Sequence, residues 1–81
     1  MTIRVLFFGV LAQRLAAKSL ELELPPDSTV GDVLAQLEQR HPELTPWRPK
    51  LAYAVNMAYV KAGQRLNDND ELALIPPVSG G

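Results

Sequence analysis

Residues 29–41 encode one amphipathic helix, and that helix leaves the rest of this 81-residue chain little choice of architecture. Thr29 and Asp32 have the spacing of a capping box, in which the hydroxyl accepts from the Asp32 amide and the carboxylate accepts from the Thr29 amide. Val30, Val33, Leu34 and Leu37 then recur at helical spacing as one apolar stripe, leaving Asp32, Gln36, Glu38 and Gln39 for solvent. His41-Pro42 ends the helix, because the residue before a proline is pushed out of the helical region. A one-sided stripe must be buried against another element, and a chain this short, burying about 60 to 65% of its unfolded surface, has room for one core.

The other apolar segments have the period of strands. "IRVLFF", residues 3–8, is β-branched and aromatic and reads as a central first strand, broken by Gly9. "VLAQRLAAK", residues 10–18, offers good helix formers for about two turns. "LELEL", residues 20–24, alternates strictly, with Leu20, Leu22 and Leu24 inward and Glu21 and Glu23 in water, until Pro25-Pro26 closes it. "ELTPWRPK", residues 43–50, has two prolines and no period, so it reads as a loop with Trp47 folded onto the core. "LAYAV" and "AYVKA" flank Asn56-Met57 as a tight hairpin, Asn56 taking the left-handed conformation. A polar turn, "NDND", leads into the last strand, "ELALI", residues 71–75.

This order predicts an α+β domain over residues 1–75: a mixed sheet of about five strands with one main helix packed across it, the β-grasp or ubiquitin-like fold, followed by a flexible tail over residues 76–81. If the helix covers one side of the sheet and Val5, Phe7, Val60, Leu72 and Leu74 face it, the opposite parity points outward. That outward set is Arg4, Leu6, Phe8, Tyr59, Lys61, Glu71, Ala73 and Ile75. Phe8, Tyr59 and Ile75 together predict an apolar partner site, unless the short helix after Gly9 covers them.

Composition removes several function classes. The formal net charge is -1, from eight Lys/Arg against nine Asp/Glu, which gives no one-signed field for nucleic acid or an anionic membrane. Cysteine is absent, so disulfides, thiolate metal sites and cysteine nucleophiles are excluded together. No apolar run approaches the roughly 20 residues of a membrane span, and the opening reads as a strand rather than a signal peptide, so the expected compartment is the cytoplasm. His41 sits at a helix end, where an imidazolium complements the dipole, and is not placed in catalysis. Residues 67–71, "NDNDE", lack the glycine and the spaced glutamate of a calcium loop; they read as a turn, and no metal site is expected.

The end of the sequence, "IPPVSGG", is different in kind. Pro76 and Pro77 cannot donate to a sheet ladder and stiffen the exit into an extended path. Val78 and Ser79 are small, and Gly80 and Gly81 have no side chain, so the segment can thread a narrow channel. Small residues also collect at frayed termini, which is the plainer explanation of a bare diglycine. The chemical one is that a Gly81 carboxylate is open to attack the α-phosphate of ATP, giving a mixed anhydride for a sulfur or amine nucleophile.

The "VLFFG" start, the "TVGDVLAQLEQRHP" helix, the "AVNMAYV" hairpin and above all the "ALIPPVSGG" end resemble the small subunit of molybdopterin synthase, the MoaD-type sulfur carriers of the ubiquitin-like superfamily, over essentially the whole chain. The resemblance implies a protein that is no enzyme on its own and binds no cofactor. It implies that Gly81 is adenylated by a ubiquitin-activating-enzyme-like adenylyltransferase that uses ATP and is then converted to a thiocarboxylate. It also implies that Pro76, Pro77, Val78, Ser79 and Gly80 form a tail inserted into the large synthase subunit of a heterotetramer. There the sulfur passes to cyclic pyranopterin monophosphate in molybdenum cofactor biosynthesis, with catalytic residues in the large subunit. Phe8, Tyr59 and Ile75 match apolar contact positions, while "NDNDE" departs from the family's usual Asp-Gly-Asp turn. Three other readings share these features: a thiamine-type sulfur carrier, a ubiquitin-like protein modifier whose Gly81 acylates lysines, and an inert interaction module.

Overall fold

Parallel pairing of the first and last strands organises the structure. In the computed structural model, which describes residues 1–77, the strands are β1 (Thr2–Phe7), β2 (Ser19–Glu23), β3 (Ala52–Val55), β4 (Ala58–Val60) and β5 (Glu71–Ile75). The helices are α1 (Val10–Leu15) and α2 (Val30–Arg40), and two 3-10 turns, Pro42–Leu44 and Arg48–Lys50, follow α2. The sheet order is β2-β1-β5-β3-β4; β1 and β5 are parallel and the other neighbours antiparallel. This is the mixed five-stranded β-grasp expected from the sequence. The register Val5↔Leu72 and Phe7↔Leu74 brings the C-terminal ends of β1 and β5 side by side.

The core lies between the sheet and α2. Ile3, Val5, Leu72 and Leu74 from the central strands meet Val30, Val33, Leu34 and Leu37 from the helix, all of them buried. Burying those four helix side chains contributes about 1.5 to 3 kcal/mol each. The capping box forms as read, Thr29 Oγ1 accepting from the Asp32 amide at 3.3 Å and Asp32 Oδ2 from the Thr29 amide at 2.8 Å. Such a cap contributes roughly 1 kcal/mol, so this 11-residue helix is held mainly by its packing. Two more of its first amides are satisfied from outside: Val30 donates to the Gln64 carbonyl and Gly31 to the Ala62 carbonyl.

Three boundaries differ from expectation, each for a tertiary reason. α1 stops at Leu15 instead of reaching Lys18, because the Phe7 amide takes the Lys18 carbonyl at 2.8 Å and Ala16 turns left-handed (φ 54°) to allow it. β4 ends at Val60 rather than Ala62, because the Lys61 and Ala62 carbonyls accept from Gln64 and Gly31. The 43–50 loop has two 3-10 turns, and it buries Leu44, which its lack of periodicity concealed.

The 67–70 turn is tied down by its own acids. Asp70 accepts from the Asn67 amide at 2.7 Å and from Asn56 Nδ2 at 2.9 Å, and Asp68 accepts from the Thr2 amide at 2.8 Å. Asn69 occupies the left-handed region (φ 68°) that glycine takes more readily, and among non-glycine residues asparagine tolerates it best.

Candidate partner face and tail exit

Strand alternation leaves the sheet face opposite α2 without a covering element. Phe8 is 46% exposed and Tyr59 78%, while Ile75 is half-buried between them and the core. α1 does not shield them, for its one fully buried side chain, Leu11, points into the core. Leu6, Ala73 and Glu71 belong to the same face, as parity predicts, and border a shallow apolar depression with Phe8, Tyr59 and Ile75. Lys61 and Arg4 do not line it; Lys61 lies beyond the end of β4.

Phe8 and Ile75 also form the wall of a second, larger cleft of about 540 Å3, completed by Val10, Trp47, Pro76 and Pro77. The two depressions therefore make one apolar surface, and the chain leaves the central strand β5 at the rim of that surface. Val78, Ser79, Gly80 and Gly81 lie outside the described residues.

Gly9 turns the chain between Phe8 and α1 with φ 54° and ψ -129°, a conformation that L-residues avoid. A Cβ there would meet Pro76 Cγ at 3.5 Å, an ordinary contact, so the constraint is in the backbone. Gly9→Ala is accordingly expected to lower stability by about 1 to 3 kcal/mol, measurable by urea unfolding.

Trp47 reaches the cleft because the loop carrying it is tied to α2. Glu38 accepts hydrogen bonds from Arg48 and from Thr45 Oγ1 (2.9 Å), the two residues flanking the Pro46-Trp47 pair. Tyr53 donates its hydroxyl to the Arg48 carbonyl at 3.3 Å, and the Lys50 ammonium lies 5.9 Å from the indole centroid. The Arg48 hydrogen bond, followed by that from Thr45, holds the Glu38 carboxyl below its ordinary value of 4.5. A carboxyl lowered by folding stabilises the fold above its unfolded value and loses that contribution as pH falls through the folded one. Acidification below about pH 4.5 should therefore loosen the loop and shift the fluorescence of Trp47, the chain's one tryptophan. Glu38→Gln should weaken that acid shift.

His41 caps the C-terminal end of α2, with Nδ1 3.2 Å from Glu43 Oε1. It lines neither apolar depression. Among the described residues no group of three His, Asp or Glu side chains is placed to hold a metal, and no helix is long and apolar enough to cross a membrane.

Two contributors were not legible as site residues. Trp47 was placed on the core and is also a wall of the cleft. Met57, 95% exposed at the hairpin tip, borders the same depression as Phe8 and Tyr59; strand parity says nothing of a turn residue, and the apolar type at a polar-preferring position was the available signal.

Comparison with known proteins agrees with this geometry. Residues 5–81 match the ThiS family. The molybdopterin synthase sulfur carrier subunit of Homo sapiens is 33% identical over 82 residues, covering 98% of this chain and 93% of the human one. Among solved structures, SAMP1 from Haloferax volcanii, a small archaeal modifier protein, superposes with a TM-score of 0.89 at 29% identity over all of both chains. A protein–protein complex of subunits 1 and 2 of the molybdopterin-converting factor from Helicobacter pylori includes a chain that matches with a TM-score of 0.72 at 26% identity, again over all of both chains. With its family match spanning residues 5–81 and its curated relative aligned nearly end to end, the chain belongs to the ThiS family.

Proposed function

We propose that this protein is the sulfur-carrier subunit of molybdopterin synthase and that Gly81 is the residue that carries the sulfur. The observation that carries the proposal is where the chain leaves the fold: β5 ends beside β1, so Pro76 and Pro77 depart from the rim of the apolar face formed by Phe8, Tyr59 and Ile75. A partner seated on that face receives the tail directly. The relatives named as molybdopterin synthase sulfur carriers support the partner's identity as the large subunit of that enzyme, as does the subunit 1–subunit 2 complex of the converting factor.

In this reading a carboxylate oxygen of Gly81 attacks the α-phosphate of ATP on a ubiquitin-activating-enzyme-like adenylyltransferase, and pyrophosphate leaves. Hydrosulfide supplied by a sulfur donor attacks the acyl carbon, AMP leaves, and a thiocarboxylate results. Residues 76–80 then extend into the large subunit, up to about 3.3 Å per residue. Glycine at the end admits close approach by another backbone. The sulfur is delivered to cyclic pyranopterin monophosphate within a cytoplasmic heterotetramer whose catalytic groups belong to the large subunit. This chain supplies recognition and the carried atom, and it holds no cofactor of its own.

Reconstitution tests the proposal: thiocarboxylated protein, the large subunit and the pterin precursor should yield the dithiolene product, and no product should form with the unmodified carboxylate. The likeness to the archaeal modifier protein favours one second reading, in which activated Gly81 acylates lysines. Lysine-linked adducts in place of a thiocarboxylate would select it.

A further inference from the structure

Asn56 and Met57 are the two central residues of the β3–β4 hairpin, and both have positive φ, 48° and 73°. Two-residue loops of this kind match the twist of their strands and favour glycine at the second position. Here the second position is methionine, held in a left-handed conformation that L-residues avoid, with its side chain 95% exposed. Neither feature assists folding of the isolated domain.

The tip is not loose. The Asn56 amide donates to the Glu71 carbonyl at 2.9 Å, Asn56 Oδ1 accepts from the Glu71 amide at 3.0 Å, and Asn56 Nδ2 donates to Asp70. The hairpin backbone is thus clamped through Asn56 to the start of β5, and Met57 stands at the rim of the depression that Phe8, Tyr59 and Ile75 share. An unbranched thioether side chain adapts readily to an apolar partner surface. Residues kept in sparsely populated conformations cluster where binding requires them.

We infer that Met57 is an affinity-determining contact for the large subunit of molybdopterin synthase, extending the Phe8–Tyr59–Ile75 face to the hairpin tip. The inference rests on the reading given under the proposed function. Its occupant follows from continuity with the face beside the tail exit and from the chain's likeness to a subunit of a two-subunit complex.

The test is calorimetric titration of the full chain into the large subunit of the same organism, with wild type, Met57→Gly, Met57→Leu and Phe8→Asp, together with thermal unfolding and light scattering of each chain alone. Met57→Gly should raise the thermal midpoint by about 4 °C, by relieving the left-handed strain. It should also weaken binding about tenfold, whereas Met57→Leu, which keeps apolar bulk at the same φ, should stay within about threefold of wild type. Wild-type affinity in Met57→Gly, alongside lost binding in Phe8→Asp, overturns the Met57 inference and leaves the partner reading standing. No binding by wild type, or unchanged binding in Phe8→Asp, overturns the partner reading and this inference with it. A concentration-dependent dimer that Met57→Gly abolishes, without change in large-subunit affinity, assigns the tip to self-association and likewise overturns the inference.

Discussion

Deleting Gly81 is expected to abolish formation of the pterin product while shifting the thermal midpoint by no more than about 2 to 4 °C, since surface changes away from the core usually stay within ~0.5 kcal/mol. The two effects separate because they reside in different parts of the chain. The described core is built from residues between Ile3 and Leu74, and the sheet ends at Ile75. The proposed reaction requires the carboxyl of Gly81 at full reach beyond Pro77. A chain ending at Gly80 still presents a glycine carboxylate and should keep part of its adenylation and sulfur loading; what it loses is the length needed to place the sulfur, about 3.3 Å. Transfer to the pterin precursor should therefore fall further than adenylation. A loss of stability of several kcal/mol on deletion would contradict the division between folded handle and carried group.

The second large effect separates two adjacent phenylalanines. Phe7 is 4% exposed, and Phe8 is 46% exposed on the opposite side of the sheet. Phe7→Ala should cost about 3 to 5 kcal/mol of stability through lost burial and the cavity it leaves. Against a total of about 5 to 15 kcal/mol, that removes a large share of the stability. Phe8→Ala should change stability by no more than about 1 kcal/mol. It should instead cost about 2 kcal/mol or more of large-subunit binding, near thirtyfold, because Phe8 borders both depressions and so sits at the centre of the face. Denaturant unfolding and calorimetric titration of the same two variants give the comparison. Matching losses in both assays for both variants would contradict the assignment of faces.

Where sequence reasoning succeeded, the controlling interactions are local. The Thr29–Asp32 box, the stripe Val30–Val33–Leu34–Leu37 and the alternation Leu22/Glu23/Leu24 need only neighbours within one turn or one pleat, and each appears as read. The outward side of the sheet followed from parity, and Leu6, Phe8, Tyr59, Ala73 and Ile75 share it. What escaped depends on partners distant in sequence. The early end of α1 is imposed by Phe7 pairing with Lys18 across the β1–β2 edge. The placement of Trp47 depends on Glu38, 10 residues before Arg48. Met57 takes its position from Asn56 reaching Asp70 and Glu71, 14 and 15 residues away. The tail's chemistry was legible in "PPVSGG" as composition and reach, whereas its setting beside the apolar cleft required the parallel register of β1 and β5.

Intact-mass analysis of the full chain after incubation with its activating enzyme, ATP and a sulfur donor tests the central claim most directly. The account predicts a single product in which one oxygen has been replaced by sulfur, with fragmentation placing the change on Gly81. An unchanged mass, or lysine-linked adducts formed through Gly81 without any sulfur-bearing species, would contradict it.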